Sequence, residues 1–84
     1  MYFVYILKCN DGTLYTGVTS DLKRRIEEHN TSKLGAKYTK ARRPVKLIYS
    51  KDFEDRSAAQ IEESRIKKLS RNEKLFFIKN AGAL

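Results

Sequence analysis

Tyr2-Phe3-Val4-Tyr5-Ile6-Leu7, Cys9-Asn10-Asp11-Gly12-Thr13 and Leu14-Tyr15-Thr16-Gly17-Val18-Thr19 are the residues on which the fold turns. The first run is entirely aromatic, β-branched or leucine, which is the composition of a strand. Asn10 and the Asp11-Gly12 pair supply turn geometry, and the chain then returns with strand character. The segment therefore reads as a β-hairpin whose two strands share one antiparallel sheet. Gly17 marks either a bulge or a place where another group must approach the backbone closely.

Working outward, Ser20 is positioned as an N-cap and Asp21 as a first-turn charge, predicting a helix through Leu22 to His29 that ends near Asn30. At about 100° per residue, Leu22, Arg25, Ile26 and His29 share one face. Arg25 and His29 thus sit within the only apolar stripe of that helix, whereas Lys23, Arg24, Glu27 and Glu28 take the outer positions. From Thr31 to Lys46 the chain carries Lys33, Lys37, Lys40, Arg42, Arg43 and Lys46 with no acidic residue, and it reads as a loop with a basic surface. Val45 to Ser50 is a third strand that fades into Lys51-Asp52-Phe53. Ser57 and Ser70 each begin a capping-box pattern, so two further helices are expected over about 57–69 and 70–80. The order is ββαβαα. It predicts an α+β fold in which a small three-stranded antiparallel sheet is flanked by helices.

Eighty-four residues are expected to form one domain spanning 1–84, since chains divide into separate cores only at greater length. Eighteen Lys and Arg against ten Asp and Glu give a formal charge of +8, which points to a polyanionic partner. Nucleic acid is favoured over an anionic membrane, because neither terminal helix sets a wide apolar face against a cationic one. No apolar run approaches the ~20 residues of a membrane span, and the N-terminal segment lacks the marks of a secretory signal. Cys9 is the only cysteine, so it forms no intrachain disulfide and lacks the Cys/His company of a zinc site. Cytoplasmic residence is the expectation.

Tyr5 in the first strand, Tyr15 in the second, and Arg25 and His29 one turn apart on the next helix form the conspicuous constellation. Phosphodiester cleavage needs charge stabilisation on phosphoryl oxygens, an activated water and help for the leaving oxygen. Arg25 offers a permanently charged fork that fits two phosphate oxygens. A tyrosine with a free pKa of ~10 deprotonates water only if a metal or Arg25 lowers that value, and otherwise orients it. His29 can exchange protons or polarise a tyrosine. Tyr5, Tyr15 and His29 all remain open as general base.

Phe3-Val4-Tyr5 and Tyr15-Thr16-Gly17 on a hairpin, followed by Asp21-Leu22-Lys23-Arg24-Arg25 and Glu28-His29-Asn30, resemble the GIY-YIG nuclease superfamily. Gly35-Ala36-Lys37-Tyr38-Thr39, Ala41-Arg42-Arg43-Pro44-Val45 and Asp55-Arg56-Ser57-Ala58 resemble its small stand-alone bacterial branch, so the similarity spans nearly the whole chain. The chain departs from the family name in having Phe3-Val4 before its first tyrosine and Thr16 within the second tripeptide. The resemblance implies a metal-dependent DNA endonuclease, with a role in DNA repair or processing, that uses Mg²⁺ or Mn²⁺. By match, Tyr5 and Tyr15 would line the site, Arg25 would contact the reacting phosphate, His29 would assist beside it, and a helix glutamate would hold the metal.

Two glutamates compete for that role. The apolar positions Ala58, Ile61, Ile66 and Leu69 centre on a direction near Glu62, whereas the family pattern of Glu, a branched apolar residue and Lys matches Glu63-Ser64-Arg65-Ile66-Lys67. Following the pattern, Glu63 is the expected metal ligand. Lys23, Lys37, Lys40, Arg42, Arg43 and Lys67 are the expected nucleic-acid contacts. Specificity would come from segment 31–46 or from a protein partner. The rival reading is a nucleic-acid-binding module that keeps the constellation without cleaving.

Overall fold

Val4, Tyr5, Ile6 and Leu7 are all buried, although successive strand residues point to opposite faces. Such a run requires a strand covered on both sides, and in the computed structural model, which describes residues 1–31 and 37–81, β1 (Tyr2–Lys8) is the central strand. It pairs antiparallel with β2 (Leu14–Thr19) on one side and β3 (Lys46–Phe53) on the other, giving the order β2-β1-β3. Four helical segments follow the hairpin: α1 (Leu22–Thr31), α2 (Lys37–Lys40), α3 (Arg56–Lys67) and α4 (Arg71–Asn80). The predicted α+β architecture is present.

The two faces of β1 build two cores. Val4 and Ile6 pack with Tyr49 of β3, Ala59 and Ile66 of α3 and Ile78 of α4. Tyr5 and Leu7 pack on the other side with Cys9 and Val45, joined by Leu22 and Ile26 of α1. Burial of each large aliphatic side chain contributes about 1.5–3 kcal/mol, so β1 links the stability of both layers.

Two helix starts differ from the sequence expectation. The Asp21 carboxylate accepts a hydrogen bond from Arg24 N at 3.1 Å, so Asp21 caps α1 in place of Ser20. Asp55 accepts from Ala58 N at 2.7 Å and starts α3 at Arg56, ahead of the Ser57 start. In both cases a carboxylate at the positive helix end displaces a neighbouring serine. Ser70 does cap α4, in a reciprocal box with Glu73. Within the expected basic loop, α2 is a single helical turn, too short for periodicity to register and held by its buried Thr39. Lys33, Gly35 and Ala36 lie outside the described residues.

Gly17 is not a bulge. The β1–β2 register runs without interruption and pairs Tyr5 with Gly17, while the irregularity lies between β1 and β3 beside Ile6 and Leu7. A Cβ at position 17 would lie 2.5 Å from the Tyr5 hydroxyl oxygen, so close approach is what glycine permits there.

Candidate active site

At the β2 edge of the sheet, a polar cleft of about 520 Å³ is lined by Tyr5, Tyr15, Arg25 and Glu63, with Tyr2, Gly17, Arg56 and Gln60 among the remaining walls. β1 and β2 supply the tyrosines, α1 the arginine and α3 the glutamate. Residues far apart in sequence thus meet because α1 and α3 cover opposite faces and both reach past the same edge.

His29 stands behind this surface and does not line it. It is fully buried, with Nε2 2.8 Å from the Tyr5 hydroxyl and Nδ1 2.8 Å from Thr39 Oγ1. Arg25 can only donate, and it hydrogen-bonds the Tyr5 hydroxyl. The Tyr5 hydroxyl and Thr39 Oγ1 thus hold the two ring nitrogens of His29 from opposite sides. Burial, reinforced by the positive charge of Arg25, pushes the His29 pKa down to about 4, so the ring is neutral at pH 7. Burial also pushes Tyr5 up to about 12, with Tyr15 and Glu63 adding to the rise against the opposing hydrogen bond from Arg25.

Arg25 is also held by Glu28, whose Oε1 lies 2.9 Å from Nη1, and this hydrogen bond keeps the Glu28 carboxyl below the usual range. Tyr15 is half-buried. Its ring meets His29 edge-on with centroids 5.1 Å apart and stacks on Tyr38 at 5.9 Å, while the Arg42 guanidinium lies 4.0 Å above the Tyr38 ring. The column Tyr15–Tyr38–Arg42 fixes the tyrosine that faces the cleft. Thr39 and Tyr38 were given no role from sequence, although the stretch that ends in Tyr38-Thr39 carried part of the family resemblance.

The two glutamates separate cleanly. Ile61 is 69% exposed and drops out of the apolar face, whose buried line is Ala59 and Ile66. At about 100° per residue, Glu62 and Glu63 fall about 50° to either side of that line. Glu62 turns toward β3 and makes a bidentate pair with Arg65, both contacts 2.8 Å, in a groove with Tyr49 and Lys51. Glu63 turns toward β2 and enters the cleft, where Lys67 Nζ lies 3.2 Å from Oε2.

The cations expected to meet nucleic acid divide in the same way. Lys23, Lys37 and Lys40 are exposed, with no carboxylate partner among the described residues. Arg42 bonds Asp11 at 3.0 Å and the Tyr38 carbonyl at 2.9 Å. Arg43 donates to the His29 and Glu28 carbonyls, capping the end of α1. Asn30, beside them, exchanges two hydrogen bonds with the Val45 backbone. The arginines of the basic run thus hold the fold around His29, and Lys67 is engaged by Glu63.

Arg56 and Gln60 were missed from sequence. Counting seven and three residues back from Glu63 on a helix would have found them. Among the described residues, no group of three His, Cys, Asp or Glu is placed to hold a metal ion, and no helix is long and apolar enough to cross a membrane.

Residues 1–75 match the model of the GIY-YIG catalytic domain. The UPF0213 protein CPE1444 of Clostridium perfringens is 55% identical over 78 residues, covering 93% of this chain and 83% of its own. The UPF0213 protein DP2720 of Desulfotalea psychrophila is 53% identical over 78 residues, covering 93% and 71%. The solution structure of the protein EF2693 from E. faecalis superposes with a TM-score of 0.68 at 42% identity, covering 96% of this chain and 85% of that one. With the tyrosine pair, Arg25 and Glu63 around one cleft and homology along nearly the whole chain, this protein belongs to the GIY-YIG family of nuclease-type domains, among its UPF0213 members.

Proposed function

We propose that this protein is a divalent-metal-dependent endonuclease that hydrolyses DNA phosphodiester bonds in the β2-edge cleft. The observation that carries the reading is the convergence of Tyr5, Tyr15, Arg25 and Glu63 on one polar concave surface. Arg25 neutralises charge on the phosphoryl oxygens, its fork already aimed by Glu28 and Tyr5. Tyr15 is the hydroxyl that orients the attacking water. His29 does not reach the cleft, and Tyr5 is buried against His29 with its pKa raised. Tyr5 therefore positions Arg25, and His29 with Thr39 positions Tyr5.

The donor set fits a hydrated Mg²⁺ or Mn²⁺. Glu63 contributes a carboxylate and Gln60 an amide oxygen, both hard oxygen ligands lining the cleft, and such ions keep several waters and take substrate phosphate oxygens. When bound, the metal supplies Lewis acidity at the phosphoryl group and lowers the pKa of water. One observation favours the second reading, a binding module without cleavage: Lys67 pairs with Glu63 and lowers its availability to a cation. Exposed Lys23, Lys37 and Lys40 would steer nucleic acid toward the cleft, with a protein partner adding specificity. Buried, unpaired Cys9 suits a reducing cytoplasm.

The test is incubation with labelled duplex, branched and single-stranded DNA and with RNA, with and without Mg²⁺ or Mn²⁺. Metal-dependent cuts lost in Arg25→Ala and Glu63→Gln, and retained in Glu62→Gln, are expected. Loss in Glu62→Gln with retention in Glu63→Gln would reverse the assignment of the carboxylate. Binding without cleavage under every metal would establish the module instead.

A further inference from the structure

The described residues include seven arginines, and six are committed. Arg24 and Arg25 bond Glu28, Arg42 bonds Asp11, Arg43 bonds the His29 and Glu28 carbonyls, Arg65 bonds Glu62, and Arg71 bonds the Gly12 carbonyl. Arg56 alone has no hydrogen bond, ion pair or ring contact from its guanidinium among the described residues. It does not point to a random stretch of surface. Together with Gln60 and Glu63 it lines the cleft, and at about 100° per residue these three fall within about 60° of arc on the β2 side of α3. The Gln60 amide likewise has no partner among the described residues.

The cleft therefore has a cation on each helical wall: Arg25 from α1, restrained by Glu28 and Tyr5, and Arg56 from α3 with its whole fork available. A guanidinium in a polar recess selects a planar pair of oxyanion oxygens, which phosphate presents. Glu63 is the only carboxylate among the cleft's lining residues, and Lys67 already pairs with it, so it does not consume Arg56. A volume of about 520 Å³ lies within the usual range for sites that enclose a ligand larger than one phosphate group.

We infer that Arg56, assisted by the Gln60 amide, binds the backbone phosphate next to the scissile one, which is bound by Arg25. This rests on the proposed nuclease reading and adds to it a requirement on substrate: two consecutive charged linkages must enter the cleft. Arg56 then governs affinity and register along the strand, and the reacting phosphate itself stays with Arg25.

The experiment uses short DNA duplexes and single strands in which one linkage at a time is an uncharged methylphosphonate, with wild type, Arg56→Ala and Arg56→Lys, read by anisotropy and by cleavage. Arg56 is exposed at the start of α3, so these variants are expected to fold. With unmodified DNA, Arg56→Ala should bind about tenfold more weakly, the usual consequence of losing a charge-assisted pair of hydrogen bonds. Arg56→Lys should recover part of that loss. At one linkage adjacent to the cut, the methylphosphonate should weaken wild type by a similar factor and leave Arg56→Ala unchanged. Equal losses for both proteins at every linkage, or wild-type affinity in Arg56→Ala, would overturn the inference and leave the nuclease reading standing. If wild type binds DNA but cuts none, the nuclease reading falls, and the anisotropy coupling still decides the Arg56 contact. Failure of wild type to bind any nucleic acid would overturn both.

Discussion

Replacing Gly17 by alanine adds one methyl group, and the structure places it against the Tyr5 ring. The new carbon would lie 2.5 Å from the hydroxyl oxygen, 2.7 Å from Cζ and 3.2 Å from Cε1. Ordinary contacts begin near ~3.5 Å, so the outer half of the ring must retreat by about 1 Å. That retreat is opposed, since the ring is 1% exposed and tied to His29 at 2.8 Å. Overpacking of this kind costs about 1–3 kcal/mol, and loss of the Tyr5–His29 hydrogen bond adds about 1 kcal/mol. Alanine returns about 0.4–1 kcal/mol by restricting the unfolded chain, and Gly17 does not have a positive φ that would cancel this gain. The net expectation is about 2 kcal/mol, or a Tm about 8–16 °C lower for a domain of this size. Thermal and urea unfolding followed by circular dichroism measure it. In a Tyr5→Phe background the ring is released from His29 and can tilt, so the cost of Gly17→Ala should fall by at least about 0.5 kcal/mol. Wild-type stability in Gly17→Ala, or the same cost in both backgrounds, would refute the view that position 17 is glycine to admit Tyr5.

Thr16 is 3% exposed and its hydroxyl has no hydrogen-bond partner among the described residues, so Thr16→Val should stabilise the fold by about 1 kcal/mol and raise Tm by several degrees; a decrease would show the hydroxyl to be satisfied. His29 titrates near 4 when folded and near 6.5 when unfolded, so the unfolded chain binds more protons between these values. Stability should therefore be fully present above about pH 6.5 and fall toward pH 4 by about 3 kcal/mol in total, a loss that His29→Gln removes; an equal slope in urea titrations of both proteins from pH 7 to 5 would contradict it. Lys67→Met should strengthen Mn²⁺ binding several-fold, read by paramagnetic broadening, because Glu63 loses its competing cation; unchanged broadening would detach Glu63 from the metal.

The sheet was legible because β1 announces itself twice, by an unbroken apolar run and by a turn at Asn10 to Gly12. α4 was legible from its capping box. α2 was not, since a four-residue turn held by Thr39 has no period and no local cap to display. The constellation of Tyr5, Tyr15 and Arg25 was readable by resemblance, and its convergence followed from the hairpin and the apolar stripe of α1. Three features depend on tertiary contacts that no local pattern carries. Ala58 was read as core, but Ala59 is the buried alanine of α3, so the true core line runs between Glu62 and Glu63. Arg42 and Arg43 read as nucleic-acid contacts, and their partners within the fold, a hairpin carboxylate and carbonyls in α1 and α2, are revealed by no local pattern. Arg56 belonged to a stretch of the resemblance without a role, and only the packing of α3 beside β2 brings it to the cleft.

The chain has no tryptophan and five tyrosines, and their distribution makes the molecule its own optical reporter. Tyr2, Tyr5 and Tyr15 line the cleft, Tyr2 also packing against the opposite core, and Tyr38 stacks on Tyr15, so Tyr49 against Phe77 is the tyrosine that sits away from this edge. Near-ultraviolet dichroism and intrinsic fluorescence of the unlabelled protein are therefore dominated by chromophores at one edge of the sheet. A ligand that enters the cleft should alter these spectra without moving the far-ultraviolet signal of the backbone. Tyr49→Phe provides the baseline, removing the one ring that sits elsewhere, so cleft occupancy can be followed in native protein without attaching a dye.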